Sequence, residues 1–447
     1  MRTLIPLSLI ALLAGCAVPA PSRPTSSMPL ASDEDTEVER LVGRLHEAFD
    51  GVASSRDLSG IVRIEHEGAV RIVRFGLADV ATGRPHETTT LYSMASVTKG
   101  ITAATIVALA RRGSLSLEDP VGQWLPELAQ TSFTIEDVLH HRAGLPRDLP
   151  DEDAAVPNVA AWLAADPARL GAVGEENYSN IGYQLMAEVI AAASGAPFED
   201  TAQRLVIDPA GMTMARLSAL EAHALPGGAK AYTPGPAPLL LADAPLSPPM
   251  PGATGLVGTV GDLARWVDVL ASDAYPELFD PDDPLGSIDA REDASGSYLS
   301  VQGTLPGYGA QAIVWPGRRT SIAFAGNLFS YPMLSLGSTL RSIVGDGPVA
   351  PPPARRPEIA PTPAHRAWIG SYMHRDFGAM HIRETAAGVQ LRFPRQPSYW
   401  TFHLTPIADG TLQWRAFGRE FTVDAEGKRM LAPLDDPSDA SPLEPLD

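Results

Sequence analysis

The chain has 447 residues, enough for about three domains of ordinary size. With 45% hydrophobic and 19% charged residues it is neither a disordered polymer nor a coiled coil. The 34 Lys and Arg against 53 Asp and Glu give a net charge of −19, which lacks the basic footprint of a nucleic-acid binder, and the single cysteine, Cys16, leaves no internal disulfide and no cysteine-based zinc site.

At the N-terminus, Arg2, an apolar run from Leu4 to Leu13 and small residues before a cut site describe a secretory signal over residues 1–15. The run is too short for a stable membrane span. Leu13-Ala14-Gly15-Cys16 resembles the bacterial lipoprotein box, in which the cysteine becomes the lipidated N-terminus. Acyl chains contribute about 0.8 kcal/mol per buried CH₂, so a multi-chain anchor on Cys16 holds a protein firmly at a membrane. With Ala17 following, the resemblance implies an exported lipoprotein anchored in the outer membrane and facing the periplasm. Residues 16–36, Pro/Ser-rich and then acidic, read as a tether.

Residues 37–348 read as one large domain. Leu58–Glu65 and Ala69–Gly76 pair as a hairpin around Gly68, and Tyr298–Gly303, Gln311–Trp315 and Thr320–Ala325 read as three more strands before a closing helix, Leu334–Val344. The middle, about 96–270, is mostly helical. A sheet assembled from both ends of the domain with helices between is an α+β layout: an antiparallel sheet flanked by helices, with a mostly helical subdomain. Ser272–Ser297, with eight acidic residues and one Arg, reads as a solvated loop. Residues 349–363 form a proline linker, and 364–434 carry short alternating runs (379–383, 389–393, 400–404) that predict a small β-barrel or sandwich. The acidic, Pro-rich residues 435–447 read as a frayed tail.

The chain contains no G-x-S-x-G, H-E-x-x-H, G-x-G-x-x-G or P-loop motif. His140 and His141 fall in a helical stretch, Thr134–Arg142; adjacent helical residues point about 100° apart, and these read as structural histidines. Chemistry points elsewhere. Only three lysines occur, Lys99, Lys230 and Lys428, and Lys99 stands three residues after Ser96 at the start of a run, Gly100 to Ala110, that is apolar on nearly every face. Such a helix is buried, with Ser96 at its N-terminus and Lys99 one turn on, facing the same way. Burial and the positive helix end both disfavour an ammonium, so Lys99 is a candidate proton acceptor beside a candidate nucleophile, and the Ser96 N–H is a candidate oxyanion donor. Taken alone, S-x-x-K also fits a serine N-cap with a solvated lysine. Tyr178-Ser179-Asn180 is the only Y-x-N in the chain, and in an extended segment its first and third side chains share a face.

With both elements in view, the stretch Tyr92-Ser93-Met94-Ala95-Ser96-Val97-Thr98-Lys99 resembles the serine β-lactamase and penicillin-binding-protein superfamily, and within it the class C β-lactamases with their carboxypeptidase and esterase relatives. Leu117–Val121, Thr134–Pro146, Asp208–Met212 and Gly255–Leu270 support the resemblance, which spans about 40–330. It implies that Ser96 attacks a carbonyl, that Lys99 and Tyr178 shuttle protons, and that Asn180 orients the substrate or Lys99. The third element of the family reads K-T-G or H-x-G. Pro306-Gly307-Tyr308 fixes the register and puts Val301-Gln302-Gly303 in that slot, so Val301 stands where a cation is expected. In the family that cation helps to bind a substrate carboxylate or to tune the tyrosine; its absence removes one charge-assisted hydrogen bond, of order 1.5–3 kcal/mol where such a bond is made, while the Thr304 N–H remains to complete an oxyanion hole with that of Ser96. The piece beginning Trp368-Ile369-Gly370-Ser371-Tyr372 resembles the lipocalin-like domain attached to some of these hydrolases.

The expected function is therefore an exported, lipid-anchored serine hydrolase of esters or amides, peptides included. Its partners are a small-molecule or peptide substrate and, through the lipid on Cys16, a membrane; neither motif implies a metal or organic cofactor. The alternatives are β-lactamase or D-Ala-D-Ala carboxypeptidase activity, with an arginine elsewhere replacing the missing cation, and a non-catalytic binder of cell-wall or peptide ligands.

Overall fold

A computed structural model describes residues 33–446 apart from 55–56, 151–152, 154–155, 157, 235–240, 244–249, 273, 280–284, 287, 350–351, 353–355, 376, 395–400 and 435–436. The signal sequence, the Cys16 lipidation site and most of the tether lie outside the described residues.

Helix α1 (Asp33–Ser54) takes up the last residues assigned to the tether and leads into the hairpin of β1 (Gly60–His66) and β2 (Ala69–Phe75). Glu67 and Gly68 both take positive φ, 49° and 93°, as a two-residue turn matched to strand twist demands. The helical middle includes α2 (Val97–Arg111), α3 (Asn180–Ser194) and α4 (Val260–Ala271). Strands β3 (Ile288–Asp293), β4 (Gly296–Leu305), β5 (Tyr308–Trp315) and β6 (Thr320–Gly326) follow, and α5 (Leu336–Val344) closes the domain. The six strands form one antiparallel sheet in the order β2-β1-β6-β5-β4-β3, so that the N-terminal hairpin pairs with the last strand of the domain.

Period-two alternation sorts the two faces of this sheet. Val62, Ile64, Ile313, Trp315, Ile322 and Phe324 meet α1 and α5, while Ile61, Ala310, Ala312, Ala323 and Ala325 meet the helical subdomain. Alanines on that second face let α4 lie close against β5 and β6. Helix α2 is buried along nearly its whole length, Val97 to Val107 without a break, in agreement with its lack of a polar face.

Two sequence expectations need correction. The acidic stretch Ser272–Ser297 is not all solvated loop: it contains β3, an edge strand in register with β4 from Ile288↔Val301 to Asp293↔Gly296. Nor does the C-terminal tail fray. After β7 (Gly370–His374), β8 (Gly378–Thr385), β9 (Gly388–Arg392), β10 (Thr401–Pro406), β11 (Leu412–Trp414), β12 (Arg419–Val423) and β13 (Arg429–Pro433) come β14 (Ser441–Pro442) and β15 (Glu444–Leu446). The order β14-β13-β12-β11-β10-β9-β8-β7-β15 makes a nearly closed nine-stranded barrel whose ring is completed by tail residues.

The barrel is packed onto the α1 side of the large sheet. Phe329, just past β6, meets Phe402 and Phe417 at ring-centroid distances of 6.0 and 5.8 Å, and one hydrophobic cluster runs from Phe49 and Leu58 through to Trp414 and Phe421. Within this contact Arg415 pairs with Asp57, both 2% exposed.

Candidate active site

Ser96 sits on a turn that the chain holds in place from several sides. Tyr92 and Ser93 pair with Gly258 and Val257, the Met94 N–H donates to Leu256 O at 2.8 Å, and Ala95 adopts φ 49°, a left-handed conformation that costs a non-glycine residue energy. The Thr98 hydroxyl donates to Ala95 O (2.6 Å) and accepts from Leu256 N–H (2.9 Å), which secures the turn to the first residues of α2.

One turn on, Lys99 has no exposed surface, and its Nζ lies 3.1 Å from Ser96 Oγ, 2.7 Å from Asn180 Oδ1 and 3.2 Å from Ala253 O. Burial lowers its affinity for a proton, with Arg147 adding to the effect and Tyr178 and Asp148 opposing it. A neutral amine has two N–H bonds and one lone pair. Asn180 Oδ1 and Ala253 O can only accept, so they take the two N–H bonds, and the lone pair is left for the Ser96 hydroxyl.

Tyr178 and Asn180 arrive together from another segment. Ser179, extended at φ −133° and ψ 117°, caps α3 by accepting from Gly182 N–H, which makes Asn180 the first helical residue and leaves Tyr178 just outside it. The Tyr178 OH lies 2.8 Å from Ser96 Oγ. Burial works to raise the phenol, but the Lys99 charge, the hydrogen bond with Ser96 and the Arg147 charge together hold it below the ordinary tyrosine value. The sequence-selected Ser96, Lys99, Tyr178 and Asn180 thus share one hydrogen-bonded network.

In the third-motif slot Val301 is buried against the helical layer, Gln302 is exposed, and Gly303 abuts the Ser96 turn. A Cβ at 303 would stand 2.3 Å from Met94 O and 2.6 Å from Ser96 N, so only glycine fits. Leu305 and Tyr308 flank the two-residue turn Pro306-Gly307 and form the bonded pair of the β4–β5 hairpin, which makes Thr304↔Gly309 a non-bonded pair. The Thr304 N–H therefore points away from β5, toward the edge where the β3 pairing has already ended at Val301. Two N–H groups, Ser96 and Thr304, stand at one edge as candidate oxyanion donors.

Ser96, Tyr178, Gly303 and Thr304 line a cleft of about 830 Å³ together with His141, Arg147 and, from β3, Ile288 and Arg291. Part of the acidic segment is thus a wall of the site. Of three further neighbours, His141 reads in the sequence as a structural histidine, and Arg147 and Asp148 are not singled out there. His141, at φ 62° and past the end of its helix, accepts from the Ser179 N–H through Nδ1 (3.0 Å) and packs on the Tyr178 ring at 4.6 Å; burial, then Lys99, Arg147 and His140, bring it down to about 3, so it is neutral. The Arg147 guanidinium lies over the same Tyr178 ring, 4.9 Å from its centroid, with its side chain 46% exposed. Asp148, 6% exposed, accepts from Asn180 Nδ2 at 2.6 Å. All three sit in or just after the Thr134–Pro146 stretch, and the Arg-Asp pair that follows it was the available signal. Among the described residues no three His, Cys, Asp or Glu side chains gather as a metal site, and no helix is long and apolar enough to cross a membrane.

The β-lactamase family profile matches residues 38–336, most of the chain. The chain belongs to the β-lactamase family. Its curated relatives in that family include penicillin-binding protein 4* of Bacillus subtilis (30% identical over 39% of this chain and 41% of that protein) and esterase EstB of Burkholderia gladioli (32%; 38% and 50%). The D-alanyl-D-alanine-carboxypeptidase/endopeptidase AmpH of Escherichia coli is 26% identical over 55% of this chain and 66% of its own length. The matches thus span roughly two fifths to two thirds of these relatives. Among solved structures, a class C β-lactamase superposes with a TM-score of 0.59 at 19% identity, covering 70% of this chain and 97% of its own. The octameric penicillin-binding protein homologue from Pyrococcus abyssi gives 0.59 at 21% identity, covering 88% and 95%. The β-lactamase family fold is common to both likenesses.

Proposed function

We propose that this β-lactamase-family protein is a serine hydrolase that cleaves esters or amides, peptides included, through an acyl-enzyme on Ser96. The observation that carries the reading is the convergence of Lys99 Nζ (3.1 Å) and Tyr178 OH (2.8 Å) on one Ser96 oxygen. Ser96 Oγ attacks the substrate carbonyl as its proton passes to the Lys99 amine. The carbonyl oxygen, now an anion, accepts from the Ser96 and Thr304 N–H groups. The bond to the leaving group breaks as Tyr178 OH supplies a proton to it, and that proton is replaced from Lys99. Water, losing a proton to the same pair, then attacks the ester on Ser96; the acid leaves as the pair returns that proton to Ser96 Oγ. Buried, apolar Val301 favours neutral esters and amides as substrates.

A second reading, β-lactamase or D-Ala-D-Ala carboxypeptidase activity, is favoured by Arg147. Among the described residues the terminal nitrogens of its guanidinium make no hydrogen bond, and it stands beside the tyrosine that serves the leaving group, where a carboxylate would meet it. Export and lipidation at Cys16, with the protein held at the outer membrane facing the periplasm, complete the proposal; the residues that support them are Leu13 to Ala17.

The test is turnover of p-nitrophenyl acetate and a chromogenic cephalosporin, with fluorophosphonate labelling read by intact mass, on a chain lacking residues 1–16. Ser96→Ala and Lys99→Ala are expected to lower ester turnover by about 10⁴-fold or more and to abolish or greatly slow labelling. Cephalosporin turnover as fast as ester turnover selects the second reading. A folded native protein that is acylated but never released, or never labelled, returns the chain to the binder class.

A further inference from the structure

The Asn180 amide has a donor end and an acceptor end, and the reading above depends on which end faces Lys99. With Oδ1 toward Nζ, the amine spends its N–H bonds on Asn180 and Ala253 and offers its lone pair to Ser96. With the amide turned over, the NH₂ would donate to that lone pair, and an N–H would face the serine instead of a base. Nothing in Asn180 itself, nor in Ala253 O, selects the first arrangement.

Asp148 does. Its Oδ1 lies 2.6 Å from Asn180 Nδ2. A carboxylate only accepts, so an Asn180 oxygen turned toward it would set two acceptors against each other at that distance. The Asp148 side chain is almost fully buried, so water cannot take the place of the contact, and its Oδ2 faces Arg147 Nε at 3.4 Å, which holds the carboxylate from behind. Asp148 touches neither Ser96 nor the open cleft. We propose that Asp148 is a positioning residue: by holding Asn180 Nδ2 it fixes the Asn180 oxygen on Lys99 and turns the amine's lone pair to Ser96. The inference rests on the hydrolase reading and deepens it.

The charge of Asp148 has a consequence that a purely structural residue would lack. Lys99 is faced by Tyr178 and the Tyr183 ring from the α3 segment, by His141, Arg147 and Asp148 from the loop before it, and by the uncharged Ser96 and Ala253. Among these Asp148 favours the ammonium and Arg147 opposes it. Removing the Asp148 charge should move the Lys99 midpoint further down.

Asp148→Asn keeps the shape and removes both the charge and the acceptor-only character; Asp148→Ser does the same with a smaller side chain, in case the first variant folds poorly. For p-nitrophenyl acetate, kcat is expected to fall about 10–100-fold with KM within about twofold, in line with the cost of misplacing a reacting group. Asp148→Glu, acceptor-only and charged, is expected to recover part of that loss. The direct readout is NMR of lysine labelled with ¹³C at Cε. With three lysines in the chain, Lys99 is assignable by difference against Lys99→Ala, and its midpoint should fall in both neutral variants. An unmoved Lys99 midpoint overturns the inference, whether kcat is native or reduced. So does a moved midpoint with native kcat, because the amide orientation would then be irrelevant to the rate. A native protein with no turnover defeats the hydrolase reading instead, and the lysine titration still decides whether Asp148 acts on Lys99.

Discussion

In the proposed reaction Lys99 serves as a base only because of where its neighbours put its hydrogens and because burial lowers its hold on a proton. The rate should therefore rise with pH as Lys99 loses its proton, with a midpoint below that of an exposed lysine. It should fall again as Tyr178 loses the proton it must give away; the Lys99 charge that lowers the phenol is by then gone, so this limb is not expected to move down with the first. A bell in the pH profile of kcat/KM for p-nitrophenyl acetate, with its rising limb displaced downward, is the expected outcome; a rising limb at the exposed-lysine value would mean that Lys99 is not the base. The four residues of this network were legible in the sequence because two short motifs carried them. His141, Arg147 and Asp148 were not, since each matters through a contact with Tyr178 or Asn180 some thirty residues away, and no spacing rule reports such a contact.

At the scale of single elements, β4 shows how little of a motif the backbone needs. Val301 has given up the cation, yet Gly303 still lets the strand approach the Ser96 turn, and the alternation set by the Pro306-Gly307 turn still aims the Thr304 N–H outward. Gly303→Ala should push the strand off the Ser96 turn and lower kcat by about 10²-fold or more, the cost of losing one oxyanion donor. Val301→Ala serves as the comparison, and equal losses in the two variants would count against the hole. Helix α2 and the β1–β2 hairpin could be read from apolar runs and alternation. Strand β3, Ile-Asp-Ala-Arg-Glu-Asp, could not: an edge strand with half its residues in water needs no apolar period, and charges are what keep such an edge from pairing with another chain. The same holds for β14 and β15, where Pro442 and Pro445 are tolerated in short strands at the two ends of the order.

Across the whole molecule, the barrel and the hydrolase sheet are joined by an apolar contact with one ion pair inside it. Arg415 and Asp57 are both almost free of solvent, and removing one partner leaves the other charge buried. Arg415→Ala should cost about 3–5 kcal/mol in chemical denaturation. The double variant Asp57→Leu, Arg415→Met should lose much less, because two charges that no longer need dehydration are exchanged for packing. A single variant within about 1 kcal/mol of the native protein would mean that water already reaches this contact. The β-rich character of the barrel was evident from its alternating runs, but its docking was not, since a buried arginine and aspartate 358 positions apart carry no local pattern.

Both sheets also share a feature of timing. Strand β1, paired at once with β2, finds its second partner only in β6, residue 60 waiting for residue 326, and β7 is flanked by β15 only when residues 444–446 have emerged. During synthesis each half therefore carries an open edge until its last strand arrives, with the pairing entropy of a long loop still to be overcome. The large sheet has all its strands once residue 326 is made, with the barrel strands from 370 to 446 still to come, whereas the barrel waits for the last residues of the chain. The barrel is therefore the last unit able to form, and its docking onto the large sheet comes last of all.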